Sequence, residues 1–278
     1  MNSRAATRLD LESSFRRAIE NEEFLVHYQP QVDIQSKKIV GAEALVRWQH
    51  PTRGLVPPSE FIPFAEQTGY IRAITQWVIG HAVAQCAAWR SRGLPMNVSI
   101  NLSARDLSDH DLPERLEALL LRERCDAQWI SFEITESAIL DDPGHAIRNL
   151  ERLAALGCKL AIDDYGTGYS SLEYLRRLPV HELKIDKTFV IGLADDANNE
   201  IIVRSTIDLG HNMGLVVVAE GVEDAATLDR LRALGCNMIQ GFFISRPVAA
   251  ADVERWVRES AWTYSSPERK TLRRVGLT

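Results

Sequence analysis

The pattern that predicts the fold is clearest in residues 145–186, HAIRNLERLAALGCKLAIDDYGTGYSSLEYLRRLPVHELKID. Its apolar periodicity predicts two helices, His145–Leu156 and Ser170–Arg177, and two short strands, Lys159–Ile162 and Glu182–Ile185. Short strands that alternate with longer amphipathic helices indicate a parallel sheet covered by helices, which is an α/β fold.

The same alternation continues on both sides of this stretch. It predicts the strands Asn97–Asn101, Trp129–Ile134, Leu215–Ala219 and Met238–Gln240, a helix through Ala65 with Ser59 as its N-cap, and the helices Ile71–Arg92, Leu112–Glu123, Glu200–Met213, Ala225–Leu234 and Ala251–Arg258. Near the start, Phe24–Asp33 and Lys38–Trp48 are rich in β-formers and predict a hairpin, so one strand runs against the rest. About eight strand–helix units favour a (β/α)8 TIM-like barrel with an antiparallel first strand.

The composition is that of an ordinary globular protein. The chain has 278 residues, of which 45% are hydrophobic and 25% charged, and its net charge is −6. An acidic balance disfavours binding to a DNA or RNA polymer, which requires a basic face. No run approaches 18 apolar residues, so no membrane span is predicted. The four separated cysteines form no C-x-x-C pair, as expected in a reduced compartment, and we expect a cytoplasmic protein or the cytoplasmic domain of a larger one.

Three segments are predicted along the chain. Residues 1–23 form a lead-in, in which Leu9–Glu20 has helical spacing and many charges. Residues 24–260 form the barrel, and residues 261–278 form a loosely attached tail.

Polar side chains stand at the ends of the predicted strands. Glu43 lies within the second strand, Lys184 and Asp186 flank Ile185, and the others close a strand: Asn101, Glu133, Asp163, Asp164, Glu220 and Gln240. In a barrel the carboxyl ends of the parallel strands meet at one mouth, where active sites are built. We therefore expect these side chains to converge there.

Five carboxylates in one mouth, from Glu43, Glu133, Asp163, Asp164 and Glu220, would repel one another strongly. One lysine does not balance them, whereas Mg2+ or Mn2+ prefers carboxylate and amide oxygens and does. An adjacent Asp–Asp pair brings one carboxylate to each of two cations, an arrangement suited to phosphoryl chemistry. The alternative, that these acids are helix caps and solvated loop residues, fits any one of them better than the whole set.

The chain also carries an ordered series of motifs. They are Tyr28-Gln29-Pro30, Glu43-Ala44-Leu45-Val46-Arg47, Asn101-Leu102-Ser103, Glu133-Ile134-Thr135-Glu136, Asp163-Asp164-Tyr165-Gly166-Thr167-Gly168, Lys184-Ile185-Asp186, Glu220-Gly221-Val222-Glu223, Gln240-Gly241 and Arg246-Pro247. Over about residues 10–258 this series closely resembles the EAL-domain cyclic-di-GMP phosphodiesterases of bacteria. Tyr165 stands where that family more often has phenylalanine, and no acidic motif residue is missing.

The resemblance implies a role for each matched residue. A first cation is held by Glu43, Asn101, Glu133 and Asp163, and a second by Asp163 and Asp164. Glu220 belongs to the metal site and acts as general base or orients the attacking water. Lys184 lies near that water and the scissile phosphate, Gln240 helps to place the water, and Glu136 anchors the loop after Asp164. The nucleotide groove is lined by Gln29, Leu45, Arg47, Asp186, Glu223 and Arg246, with Arg47 as a phosphate contact.

The function implied by this resemblance is metal-dependent hydrolysis of one phosphodiester bond of cyclic di-GMP to linear 5′-pGpG, which lowers the level of the second messenger. Mg2+ or Mn2+ is the expected cofactor, and Ca2+ is expected to inhibit. The resemblance also implies a homodimer linked to sensory or GGDEF domains in a longer chain. Three alternatives stay open: a catalytically silent cyclic-di-GMP receptor, a regulatory interaction module, or another metal-dependent barrel enzyme such as an aldolase or enolase.

Overall fold

The strands of the chain join into one sheet. The computed structural model describes residue 15, residues 17–167 and residues 172–262, and of residues 172–174 only the backbone. The strands are β1 (Phe24–Asp33), β2 (Lys38–His50), β3 (Gly54–Val56), β4 (Asn97–Leu102), β5 (Ile130–Thr135), β6 (Lys159–Tyr165), β7 (Glu182–Ile185), β8 (Val216–Ala219), β9 (Met238–Ile239) and β10 (Val248–Ala249).

Eight of these strands close into a barrel. Their order is β1-β9-β8-β7-β6-β5-β4-β2, and β2 pairs again with β1. β1 is antiparallel to both of its neighbours, β2 and β9. The other neighbours in the barrel pair in parallel. The predicted (β/α)8 TIM-like barrel with an antiparallel first strand is therefore confirmed.

Helices follow the strands and cover the outside of the barrel, as the fold requires. They are α1 (Pro58–Thr68), α2 (Ile71–Ser91), α3 (Ala104–Leu107), α4 (Leu112–Glu123), α5 (Glu136–Asp141), α6 (Pro143–Ala155), α7 (Leu172–Arg177), α8 (Lys187–Val190), α9 (Ala197–Asn212), α10 (Ala225–Ala233) and α11 (Ala250–Glu259). None of the helices in the described part of the chain has the length and apolar character that a membrane span needs.

Some local predictions differ from the structure. Ser59 is not the N-cap of α1: the helix begins at Pro58, follows Pro57, and has no side-chain cap. Proline suits a first helical position because it has no N–H group to satisfy. The short helices α3, α5 and α8 were not predicted, because about one turn carries too little periodicity to detect. The predicted start of the helix Ser170–Arg177 lies outside the described residues.

The described part of the predicted lead-in helix, residue 15 and residues 17–20, is helical. Phe15 is fully buried, and its ring stacks on that of Trp48 with the centroids 5.3 Å apart. This segment therefore packs on the β1–β2 hairpin. Most of the predicted tail, residues 263–278, lies outside the described residues.

Side chains alternate along the strands, so that apolar residues face the surrounding helices and polar residues face the interior of the barrel. Ala44, Ile100 and Phe132 are buried and belong to the apolar core shared with the helices. Because neighbouring residues of a strand point to opposite faces, the adjacent Glu43 and Glu133 point into the barrel. The strands thus place polar groups inside its carboxyl end without disturbing the helix-facing core.

Gly241 permits a close approach of the chain to Val222 just after β9. A Cβ at this position would lie 2.2 Å from the carbonyl oxygen of Val222 and 2.3 Å from its nitrogen. We expect Gly241→Ala to lower the free energy of unfolding by about 2 kcal/mol or more, because the backbone must shift to relieve the overlap.

Gly80→Ala in α2 is the matched control, because a Cβ there meets nothing within 4 Å. It should leave the free energy of unfolding unchanged or raise it by up to about 1 kcal/mol, the helix preference of alanine over glycine. Denaturant titration measures both variants, and equal stability of the two would contradict the packing argument.

Candidate metal and active site

Four carboxyl groups meet around one buried ammonium group at the mouth of the barrel. The Nζ atom of Lys184 lies 2.5 Å from an oxygen of Glu133 and 2.5 Å from an oxygen of Glu220. It is also 3.1 Å from Asp163 and 3.9 Å from Glu43. The Lys184 side chain is only 1% exposed. The strand-end residues that the sequence predicts to converge do converge here, and we call these five side chains the acidic cluster.

The acidic cluster has more negative than positive charge, and its pKa values respond to that. Burial raises the pKa of Glu133 well above its ordinary value, and the charge of Glu43 adds to the effect. Burial also raises the pKa of Glu220 to about 7, although Lys184 opposes the shift. Burial acts to lower the pKa of Lys184, but the surrounding carboxylates raise it well above its usual range. Lys184 therefore stays charged, and its single positive charge is shared among the surrounding carboxyl groups.

A β-bulge brings two consecutive aspartates to the same place. Ile162 pairs with Leu183 and Tyr165 with Ile185, so Asp163 and Asp164 together stand opposite the single residue Lys184. Asp164 has a φ of 53°, in the left-handed region that few residues other than glycine adopt. Without the bulge, adjacent side chains of one strand would point to opposite faces.

As a result, oxygen atoms of Asp163, Asp164 and Glu220 all lie within 4.8 Å of one another. Burial, followed by the charge of Asp163, raises the pKa of Asp164 to about 6. Such a group of close carboxylates has the composition of a binding site for a hard divalent cation.

Two amide side chains hold Glu43 in place. The Nδ2 group of Asn101 donates to Oε1 of Glu43 at 2.6 Å, and Nε2 of Gln240 donates to Oε2 at 2.6 Å. In this hydrogen bond the amide nitrogen of Asn101 faces Glu43. The amide oxygen of Asn101, which is a good cation ligand, takes no part in the bond. Gln240 also donates to Oε1 of Gln29 at 3.0 Å.

The donor set fits a divalent cation. Among the described residues, Oε1 of Glu133 is a buried side-chain oxygen that has no hydrogen-bond partner. An unpaired buried carboxylate oxygen is costly, and a cation offers the compensation that the protein does not. Carboxylate and amide oxygens are the ligands that Mg2+ and Mn2+ prefer.

The residues predicted to line a nucleotide groove fall into two sets. Gln29 contacts Gln240, and Leu45 lines a groove of about 760 Å³ that begins beside Asn101. Asp186 lies next to Asp164 and caps α8, accepting a hydrogen bond from the Thr188 backbone at 2.9 Å. Each of these three residues therefore lies beside a neighbour of the acidic cluster, namely Gln240, Asn101 or Asp164.

The other three predicted groove residues are half-buried or exposed. Arg47 is half-buried and donates to the Val46 carbonyl at 2.8 Å. Glu223 is exposed, and the guanidinium of the exposed Arg246 lies 4.2 Å from the ring centre of Phe242. In the described part of the chain no hydrogen bond or ion pair joins these three to the acidic cluster.

Glu136 follows directly after β5. It begins α5, is half-buried, and lines a small cavity with Ile162, Tyr165 and Leu175. The loop that it is predicted to anchor includes residues 168–171, which fall outside the described residues, so the anchoring role stays a prediction.

Gln31 is a buried residue of the mouth that the motifs did not single out. Its Nε2 group donates to Oε1 of Gln240 at 3.0 Å. The signal for it in the sequence is its position: two residues from Gln29 in a strand, it must share the face of Gln29.

Lys184→Met should lower the free energy of unfolding by roughly 3 kcal/mol in a buffer that contains a metal chelator, because it leaves buried carboxyl groups without their counter-charge. Arg204→Met is the control. Arg204 pairs with Glu200 at 2.7 Å on the surface, with 53% of its side chain exposed, and its loss should cost less than about 1 kcal/mol. Denaturant titration tests this, and equal losses would refute a special role of Lys184 in holding the mouth together.

Two proteins of other lengths are similar in sequence to this chain. MucR of Pseudomonas aeruginosa, a bifunctional diguanylate cyclase/cyclic di-GMP phosphodiesterase, is 41% identical over 90% of this chain and 37% of its own length. The cyclic di-GMP phosphodiesterase PdeR of Escherichia coli is 37% identical over 93% of this chain and 39% of its own length. The chain thus spans between a third and two fifths of the length of these curated relatives.

The fold of the chain also matches solved structures. The PaMucR phosphodiesterase in complex with c-di-GMP superposes with a TM-score of 0.84 at 41% sequence identity, covering 88% of this chain and 99% of that chain. A family model described as the EAL domain matches residues 12–247. By these matches the chain belongs to the EAL domain family.

Proposed function

We propose that this chain hydrolyses one phosphodiester bond of cyclic di-GMP to linear 5′-pGpG with the help of bound Mg2+ or Mn2+. The observation that carries the proposal is the acidic cluster: four carboxyl groups around Lys184, with a buried oxygen of Glu133 that lacks a partner. Its support from relatives is that MucR and PdeR are named as cyclic di-GMP phosphodiesterases.

In this proposal Glu43, Asn101, Glu133 and Asp163 would hold one cation, Asp163 and Asp164 would hold a second, and Glu220 would belong to the same metal site. When bound, such cations stabilise the charge that develops on phosphate oxygens and make water more acidic. Lys184, held between Glu133 and Glu220, supplies a fixed positive charge near the reacting phosphate.

The protein moves the proton through Glu220. Its carboxylate, held by Lys184 at 2.5 Å, accepts the proton of the attacking water as the new P–O bond forms. The P–O3′ bond breaks, and the departing 3′ oxygen is protonated from solvent. Gln240, held by Glu43 and Gln29, keeps the water in line.

The groove beside Asn101 gives the dinucleotide a place to lie. Its volume of about 760 Å³ and its largely apolar lining, which includes Leu45, Ile62 and Ile71, suit a purine ring. Arg47 contacts a phosphate, a role for which a guanidinium offers paired donors. We assign the remaining contacts with the nucleotide to Gln29, Asp186, Glu223 and Arg246.

Glu43→Gln should reduce turnover of cyclic di-GMP by at least about a hundredfold and weaken Mn2+ binding, because it removes a charged ligand from the proposed site. Glu182→Gln is the matched control. Glu182 is also a buried glutamate with a raised pKa, caused by burial, but it lies outside the acidic cluster and its loss should leave turnover unchanged. Product is measured by nucleotide separation, and Mn2+ binding by calorimetry.

Product and binding assays on the protein without substitutions distinguish the proposal from its alternatives. Formation of pGpG supports hydrolysis. Tight binding of cyclic di-GMP without product under either Mg2+ or Mn2+ would identify a receptor, and no affinity for the nucleotide would identify a regulatory interaction module. Hydrolysis that persists in Glu43→Gln would contradict the metal assignment.

Ca2+ should inhibit turnover in the presence of Mg2+. It demands more oxygen ligands than Mg2+ and activates water poorly, so it occupies the site without supporting the reaction. Turnover measured at fixed Mg2+ with increasing Ca2+ should fall toward zero, and excess Mg2+ should restore it. Undiminished turnover with Ca2+ in excess would exclude competition at this site.

We further propose that the barrel, residues 24–260, works in the cytoplasm as part of a longer chain with sensory or GGDEF domains, and that it forms a homodimer. The support for a longer chain is that MucR and PdeR each extend well beyond the matched region.

A further inference from the structure

The reversed strand β1 brings two glutamines between Glu43 and Gln240. Because β1 runs against both neighbours, Gln29 pairs with Glu43 on one side. On the other side Val32 pairs with Ile239, which places Gln31 beside Gln240. Gln31 also stands opposite Gly41, which carries no side chain that would fill the interior at that point.

The amides form a chain of hydrogen bonds with one direction. Nε2 of Gln31 donates to Oε1 of Gln240 at 3.0 Å. Nε2 of Gln240 then donates to Glu43 at 2.6 Å and to Gln29 at 3.0 Å. Nε2 of Gln29 donates in turn to the Ser245 carbonyl at 3.0 Å. The three glutamines are buried, so water is a poor substitute for these partners.

An amide side chain has two orientations, and only one of them serves Glu43. If the Gln240 amide turned over, its oxygen would face the Glu43 carboxylate, and the two groups would repel each other. Glu43 itself accepts from Gln240 and only approaches Lys184 at 3.9 Å with the same oxygen. Gln31 favours the same orientation of Gln240 from the other side, because its N–H group needs an oxygen to face it.

We propose that Gln31 is a positioning residue that acts through Gln240: it fixes the direction of the Gln240 amide and thereby the carboxylate of Glu43. The inference rests on the proposed function in one respect, namely that Glu43 is a cation ligand. Partners that orient a ligand from behind typically change metal affinity by about 10- to 100-fold when removed.

Gln31→Met tests this, because methionine has nearly the same size and no donor. We expect the Kd for Mn2+, measured by calorimetry, to rise about tenfold. At saturating Mn2+ the KM for cyclic di-GMP should stay within about twofold, since Gln31 lies behind Gln240. Gln31→Asn, whose shorter amide no longer reaches Gln240, is the second variant and should behave in the same way if Gln31→Met folds poorly.

A double-mutant cycle separates positioning from a merely structural effect. In a Gln240→Met background, Gln31→Met should change the Kd for Mn2+ by less than about twofold, because its target is already gone. An effect as large as in the unchanged background would overturn the proposal, and so would an unchanged Kd in a well-folded Gln31→Met or Gln31→Asn. A parent protein that binds no Mn2+ would overturn both the proposed function and this inference, whereas a parent that binds and a variant of equal affinity would overturn this inference alone.

Discussion

The contact of Lys184 with the surrounding carboxyl groups is the interaction on which the mouth of the barrel depends. The buried ammonium group of Lys184 lies 2.5 Å from both Glu133 and Glu220 and is stabilised by their negative charge. The ammonium group in turn stabilises these buried acids. Each partner stands in a different strand or, for Glu220, directly after one, so the charges meet only when the strands are assembled in the barrel. The negative charge that remains uncompensated distinguishes the mouth from a packed apolar core.

Two departures from regular sheet geometry turn this charge balance into a shaped site. The bulge in β6 lets Asp163 and Asp164 share the mouth, which a regular strand forbids. The reversal of β1 brings Gln29 opposite Glu43 and Gln31 beside Gln240. Both departures are local, and the parallel pairing elsewhere keeps the strand ends in register.

The barrel was predictable because several strand–helix units repeat one pattern. The hairpin was predictable because a short polar link separates β1 from β2. The convergence of Glu133, Asp163 and Glu220 followed from the same regularity, because parallel strands end at one mouth. The contact of Gln31 with Gln240 did not follow, since the residues are 209 positions apart and their meeting depends on register. The bulge was equally hidden, because the pairing of β6 with β7 sets it rather than any residue type.

The site keeps its shape because its acids are not free to separate. Glu43 has a bond to each oxygen, from Asn101 and from Gln240, so repulsion from Asp163 and Glu133 cannot swing it away. Repulsion among these carboxylates is thus retained in the folded barrel, and it lowers stability. A cation that binds the folded mouth and not the unfolded chain returns part of that stability by mass action. In the proposed function, the carboxylates that weaken the barrel by mutual repulsion are also the ones that would hold the cations.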